Sequence, residues 1–182
     1  MKHLGTQQIE TERLILRRFC MKDCRAMYEN WASDPEVTKY LTWQPYAVVD
    51  TAKEILATWT KAYDQENFYQ WAIELKELGQ SIGSISVVEQ KEKARVAHIG
   101  YCIGQNWWHR GIMSEALKAV MDFLFDEVGF ERLESRHDPN NPNSGKVMVK
   151  CGMKYECTMR RSDWNNQGIC DASWYALLKE DR

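Results

Sequence analysis

The sequence predicts an α/β fold built on a mixed sheet of about seven strands. Three observations carry that expectation. Strand-like and helix-like segments alternate in the order strand, three helices, three strands, helix, strand, helix and two closing strands. The three consecutive strands within residues 68–104 have tight connections, which makes them an antiparallel meander. After them, residues 108–116 lead from a strand-like segment through a glycine turn into an amphipathic helix.

The first strand covers residues 12–19, with Leu14, Leu16 and Arg18 on one side and Arg13, Ile15 and Arg17 on the other. Over residues 22–33, Ala26, Met27, Asn30 and Trp31 recur in helical steps. Asp34-Pro35 ends that helix, and Pro35 suits the first position of a short second one reaching Tyr40, since its φ is already helical and no N–H is needed there. Asp50 is expected to cap a third helix whose apolar face is Ile55, Leu56, Trp59, Ala62 and Tyr63. Strands follow at 68–76, 81–89 and 94–104, separated by turns at 77–80 and 90–93. The helix entered at Gly111 runs to about Val128, with Ile112, Ala116, Leu117, Val120, Phe123 and Leu124 near helical spacing. A strand at 132–137, a loop at 138–143 and a helix at 144–151 stopped by Gly152 come next. Strands at 154–161 and 170–179 close the chain around the turn-forming Asn165, Asn166, Gln167 and Gly168.

With 182 residues and no repeat, linker or low-complexity tract, the expectation is one domain over 1–182. Lys and Arg number 24 against 26 Asp and Glu, a net charge of −2, so nothing points to nucleic acid or an anionic membrane as partner. No apolar run approaches the ~18 residues of a membrane span. Met1-Lys2-His3 leads into polar residues, so a cytoplasmic address is expected. The six cysteines (Cys20, Cys24, Cys102, Cys151, Cys157 and Cys170) read as reduced thiols in that setting. Cys20 and Cys24 have no second pair at finger-like spacing, so no metal is expected.

Two stretches stand out as candidates for binding. At the Gly111 turn the first helical amides have no intrahelical partners and lie at the positive end of the macrodipole, which suits an anion; Gly111 permits close approach and Arg110 adds charge. Glu115, in the same first turn, is better read as favourable helix-end charge than as a base. The loop over residues 40–46 carries Tyr40, Trp43 and Tyr46, and reads equally as a lid over the core or as a substrate wall.

Several short motifs occur in an order that resembles the GNAT superfamily of acyl-CoA-dependent N-acyltransferases, in particular its RimJ/RimL-like branch of ribosomal-protein-alanine acetyltransferases. They are Thr11-Glu12-Arg13-Leu14-Ile15-Leu16-Arg17, Ile82-Gly83-Ser84-Ile85, Ile99-Gly100-Tyr101, Gly111-Ile112-Met113-Ser114-Glu115-Ala116, Asn141-Pro142-Asn143-Ser144 and Lys150-Cys151-Gly152-Met153. The family's pyrophosphate loop has the form Gln/Arg-x-x-Gly-x-Gly/Ala; aligned on Gly111, this sequence has Trp108 first and Met113 last, both departures.

The resemblance implies a mostly antiparallel sheet splayed at an acyl-CoA site. It places the pyrophosphate of acetyl-CoA on the amides of His109, Arg110, Gly111, Ile112, Met113 and Ser114, and the pantetheine along Tyr101, Cys102 and Ile103 with Asn141 holding it. A backbone amide on that strand would face the thioester oxygen and stabilise the developing oxyanion. An amine would attack the thioester directly, with Ser144 as proton donor to the departing thiolate and His98, where the branch often carries Glu, as general base; a water chain is the alternative to His98. Asn141 and Ser144 also suit plain helix capping. Cys102 and Cys151 invite a covalent reading, but neither motif shows a base beside the thiol. The acceptor is expected to meet Trp31, Trp43 and Tyr46 and the turn near Gly168. The implied function is acetylation of a protein N-terminal α-amine. A polyamine, aminoglycoside or other small amine, and an acyl-CoA sensor without turnover, stand as alternatives; a homodimer follows by analogy.

Overall fold

Hydrophobic alternation shapes the sheet, as β2 (Leu14–Arg17) shows: Leu14 and Leu16 are fully buried while Ile15 and Arg17 are half-buried on the opposite face. The computed structural model describes all residues, 1–182. Before β2 comes β1 (Ile9–Glu10), and after it α1 (Cys24–Met27, continued by a wider turn at Tyr28–Ala32), α2 (Pro35–Thr38) and α3 (Val49–Ala62). The meander is β3 (Gln70–Leu75), β4 (Gln80–Lys91) and β5 (Val96–Ile103). Then come α4 (Ile112–Phe123, extended through Leu124–Val128), β6 (Arg132–His137), α5 (Pro142–Lys150), β7 (Lys154–Asn165) and β8 (Gly168–Leu178).

The eight strands form one sheet in the order β1-β2-β3-β4-β5-β6-β8-β7. Every neighbouring pair is antiparallel except β5 and β6. The predicted mixed, mostly antiparallel sheet is therefore present with one strand more than expected. That strand, β1, pairs Ile9 with Leu16 and Glu10 with Ile15, and two residues are too few to display an alternating pattern.

The parallel pairing of β5 with β6 covers only Val96–Arg132, Ala97–Leu133 and His98–Glu134. Beyond it β5 stays with β4, β6 stays with β8, and the two strands part. Ser135 Oγ donates to the Ile99 carbonyl at 2.8 Å at the fork. On the other edge of β5, the register with β4 shifts between Val87 and Glu89, leaving a bulge at Val88.

Each face of the sheet has its own core. One of 26 buried residues packs Leu14, Ile73, Ile99 and Ile103 against α4 and α5; one of 10 packs Ala72 against α1, α2 and α3. No helix is long and apolar enough to cross a membrane. Two helix starts differ from expectation. Val48 occupies the N-cap position of α3 without a side-chain cap, and Asp50 lies inside the first turn, its carboxylate 3.3 Å from Lys53 Nζ, so it is not the cap. The helix α5 begins at Pro142, whose ring pre-sets the first helical φ, and so includes two residues read as loop. The closing hairpin is longer than its apolar pattern indicated, because β7 is exposed along most of its length and bulged between Met159 and Asp163.

Candidate active site

Where β5 leaves β6, a cleft of about 320 Å³ opens between the end of β5, the start of α4 and one face of α5. Gly104 ends the strand; a Cβ there would lie 2.2 Å from the Asn30 carbonyl, so only glycine fits. The chain then turns at Gln105–Trp107, and Trp108 Nε1 donates back to the Ile103 carbonyl at 2.9 Å. His109 and Gly111 both adopt left-handed backbone, with φ 59° and 71°. The first helical bond of α4 runs from Glu115 N to the Gly111 carbonyl, and the amides of His109 through Ser114 donate to no protein acceptor. Six consecutive donors at the positive end of a helix make a cradle for an anion.

The positive side chains beside this cradle are not the expected ones. A Cβ on Gly111 would lie 3.4 Å from Lys150 Nζ and 3.8 Å from Arg13 Nη2. Lys146, one turn before Lys150 on α5, lines the same cleft. Arg110 is exposed and its side chain does not line the cleft; its contribution is its backbone, including a carbonyl that accepts from Arg13 Nη1 at 2.9 Å. Glu115 is occupied structurally. Its carboxylate accepts from Thr11 Oγ1 at 2.6 Å, Arg13 N at 2.9 Å and Arg13 Nε at 2.7 Å. Burial alone would raise its pKa, but these bonds outweigh burial and hold it below the usual range.

At the opposite wall, Asn141 is the N-cap residue of α5, yet its side chain makes no cap bond and lines the cleft. Ser144 Oγ likewise does not cap. It donates to Tyr101 Oη at 3.3 Å, and Tyr101 Oη donates to the Ser144 carbonyl at 2.9 Å. Burial pushes the Tyr101 phenol well above its ordinary pKa, and the Ser144 bond offsets only part of this. Cys102 and Ile103 line the cleft beside Tyr101. The Cys102 sulfur lies 3.4 Å from Ser84 Oγ, and burial raises its pKa; burial raises the Cys151 thiol to about 11, and its sulfur donates to the Ser114 carbonyl at 3.2 Å. Neither thiol is prepared as a nucleophile.

His98 lies at the fork itself, 5 % exposed, and is not a cleft-lining residue. Its Nε2 is 3.4 Å from Arg136 Nη1, while its Nδ1 has no partner. Arg136 can only donate, so Nε2 is the acceptor and the proton sits on Nδ1. Burial first, and then the Arg136 charge, lower its pKa to about 4. This geometry differs from that of a general base: the lone pair is already engaged, and the reactive-looking position of His98 on the strand did not reveal the arginine across the sheet.

Of the aromatic residues assigned to the acceptor, Trp31 is a correction. It is 1 % exposed in the smaller core, held there by the helical spacing that also buries Met27. Trp43 and Tyr46 are half-buried with ring centroids 5.2 Å apart and lean on that core; from the same loop it is Tyr40 and Leu41 that reach the cleft. Sequence reading also missed Lys146, Val147 and Lys150 as cleft residues; the i, i+4 spacing of the two lysines and the i, i+3 spacing of Val147 and Lys150 on a nine-residue helix were the available signal.

A family model described as an acetyltransferase (GNAT) domain matches residues 13–154. The chain belongs to the GNAT acetyltransferase family. It is 29 % identical to an uncharacterized N-acetyltransferase, p20, of Bacillus licheniformis over 96 % of this chain and 98 % of that one. To the ribosomal protein uS5-alanine N-acetyltransferase of Escherichia coli it is 32 % identical over 32 % of this chain and 30 % of that one. A solved structure of RimL, a ribosomal L7/L12 alpha-N-protein acetyltransferase in complex with coenzyme A, superposes with a TM-score of 0.85 at 18 % identity, covering 97 % of this chain and 100 % of that one. This GNAT chain is thus an acetyltransferase with the family's fold and with RimJ/RimL-like relatives. Its two departures in the phosphate loop also have a physical reading. The Met113 side chain is turned into the larger core while its amide stays free, and Trp108 braces the loop on β5.

Proposed function

We propose that this GNAT acetyltransferase uses acetyl-CoA and acetylates the α-amine of a protein N-terminus by direct attack in a ternary complex. The observation that carries the cofactor assignment is the row of free amides from His109 to Ser114 with Lys150 and Arg13 beside it, opening onto the Tyr101–Ser144 pair. Those amides suit a pyrophosphate, and the unpaired edge of β5 beyond Ile99 offers backbone groups to an amide-containing arm. Acetyl-CoA supplies an activated thioester; the rest is the work of this chain. In this reading a free β5 amide stabilises negative charge on the carbonyl oxygen, Ser144 Oγ turns from Tyr101 Oη to give its proton to the leaving sulfur and regains one from water, and the cleft walls orient the amine. With His98 committed to Arg136, the amine's proton leaves through water.

The acceptor assignment rests on what the cleft lacks: Lys150 lies at the phosphate end, Tyr40 and Leu41 at its other side are neutral, and no carboxylate lines it to hold the further ammonium groups of a polyamine or aminoglycoside. A relative named for acetylating an N-terminal alanine is consistent with the same reading. The homodimer belongs to this proposal too: the outer strand β7 has one unpaired edge, and Tyr155, Met159, Trp164 and Ile169 on the closing hairpin are exposed.

The test is CoA release from acetyl-CoA with N-terminal peptides, a polyamine and an aminoglycoside, run on the parent and on Ser144→Ala. Peptide turnover is expected, with kcat lowered about 100-fold in Ser144→Ala. Faster turnover of the polyamine or aminoglycoside than of every peptide would overturn the acceptor assignment. Parental kcat in Ser144→Ala would remove its role as proton donor.

A further inference from the structure

The turn between β7 and β8 grips both walls of the cleft through two adjacent asparagines. Asn166 serves the 38–46 loop: its Nδ2 donates to the Thr38 and Trp43 carbonyls, both at 2.8 Å, its backbone N donates to the Leu41 carbonyl at 3.1 Å, and its Oδ1 accepts from Gln44 Nε2 at 2.6 Å. Asn165, 6 % exposed, serves the other wall. Its Nδ2 donates to Asp138 Oδ2 at 2.8 Å, and Asp138 in turn accepts from Asn140 N through Oδ1 and from Asn141 N through its carbonyl, at 2.8 and 2.7 Å.

The two walls are far apart in sequence and share no strand pairing. One ends in Tyr40 and Leu41, the other in Asn141 and Ser144, and all four line the cleft. Every polar atom of the Asn166 side chain is spent on the aromatic loop, at separations of more than 120 residues. These four bonds fix the middle of a loop whose other polar ties are the Leu41 N–Thr38 carbonyl bond at its start and the Tyr46 N–Ala32 carbonyl bond at its end.

We infer that Asn166 is a positioning residue that sets the acceptor entrance, by clamping the 38–46 loop at a fixed distance from the wall that carries Ser144. This rests on the reading that the amine enters between those walls, but on no particular amine. Loosening the clamp acts on the acceptor and leaves the phosphate cradle, which is built from α4 and α5, untouched.

The experiment compares the parent with Asn166→Ala, and with Gln44→Ala as a second variant at an exposed site that removes one bond of the clamp. Steady-state kinetics are read on whichever amine the parent turns over fastest, together with the acetyl-CoA Kd and the thermal midpoint. In Asn166→Ala the acceptor KM is expected to rise about tenfold, and in Gln44→Ala about threefold, with the acetyl-CoA Kd within about twofold of the parent. Discrimination between small and bulky amines should fall in step. An unchanged acceptor KM in folded Asn166→Ala overturns the inference. So does an acetyl-CoA Kd that weakens in parallel with the acceptor KM and the thermal midpoint, which marks a merely structural role. If the peptide assignment fails, the parent reveals it by preferring another amine, and the variants are still compared on that amine.

Discussion

Acidifying the protein from about pH 7 to about pH 5 should destabilise it through one side chain, His98. Its ordinary pKa of 6.5 falls to about 4 in the folded chain, because burial removes the hydration an imidazolium needs and the Arg136 guanidinium repels it. The unfolded chain therefore binds a proton that the folded chain refuses. Stability contributed by neutral His98 is fully present above pH 6.5 and is lost as pH falls from 6.5 towards 4; below that, both states are protonated and the loss stops. A gap from 6.5 to about 4, at about 1.4 kcal/mol per tenfold change in proton affinity, is worth roughly 3 kcal/mol, of which about 2 kcal/mol is gone by about pH 5. Asp23, Glu115 and Asp163 are also held below their ordinary values, but from starting points of 3.8 to 4.5, so their losses belong to a more acidic window. Urea unfolding of the parent and His98→Gln over this range separates the two. The glutamine keeps an acceptor for Arg136 and does not titrate, so its midpoint should stay level where the parent's falls. A parent midpoint that is flat between about pH 6.5 and 5, or a variant that falls equally, refutes the assignment.

Three further outcomes follow from the site. Lys150→Ala should weaken acetyl-CoA binding about tenfold and flatten its salt dependence, measured by titration at two ionic strengths, since Lys150 Nζ lies beside Gly111. Arg110→Ala should bind acetyl-CoA within about twofold of the parent in the same titration, because its side chain lies outside the cleft and its backbone is unchanged. Glu115→Ala should lower stability by about 2 kcal/mol in urea unfolding, since it strips acceptors from Thr11 Oγ1 and from Arg13 N and Nε, and it should also loosen Arg13 at the cradle.

The fold was legible because most of its elements are long and periodic. Leu14 and Leu16, the meander, and the apolar stripe of α4 all announce their own geometry, and their burial confirms it. The row of free amides was legible for a different reason: it is made of backbone, so Gly111 before a helical stripe was enough to point to it. What sequence could not supply were partners chosen by the sheet. The guanidinium that engages His98 comes from β6, 38 positions away, and occupies the lone pair of an expected base. Trp31 and Trp43 look alike in sequence, yet one lies in the core and the other in a loop, because Trp31 shares a helical face with Met27 while the proline-interrupted segment around Trp43 has no such face. Lys146 and Lys150 were obscured by a helix boundary placed two residues late, which blurred which face of α5 turns to the cleft.

The site itself can be traced to the unequal use of β6. Its edge towards β8 is paired at six positions, from Arg132–Leu178 to His137–Ser173, whereas its edge towards β5 is paired at three. Because β6 follows β8, β5 is left with an open edge just where it carries Tyr101, Cys102 and Ile103. The two helices that flank β6 in sequence, α4 before it and α5 after it, both have N-terminal residues on the resulting cleft, Gly111 to Ser114 on one and Asn141 to Ser144 on the other. Two positive helix ends and the two lysines of α5 thus converge on an open strand edge, which favours an anion at one end and an amide-rich arm along the rest. Restoring full parallel pairing would close that edge. It is held apart at the fork by Ser135, whose hydroxyl takes the Ile99 carbonyl that a further ladder bond would otherwise compete for. Ser135→Ala should therefore cost more in acetyl-CoA affinity than in stability. Equal parental affinity in a folded Ser135→Ala would show that the strands part for reasons of twist alone.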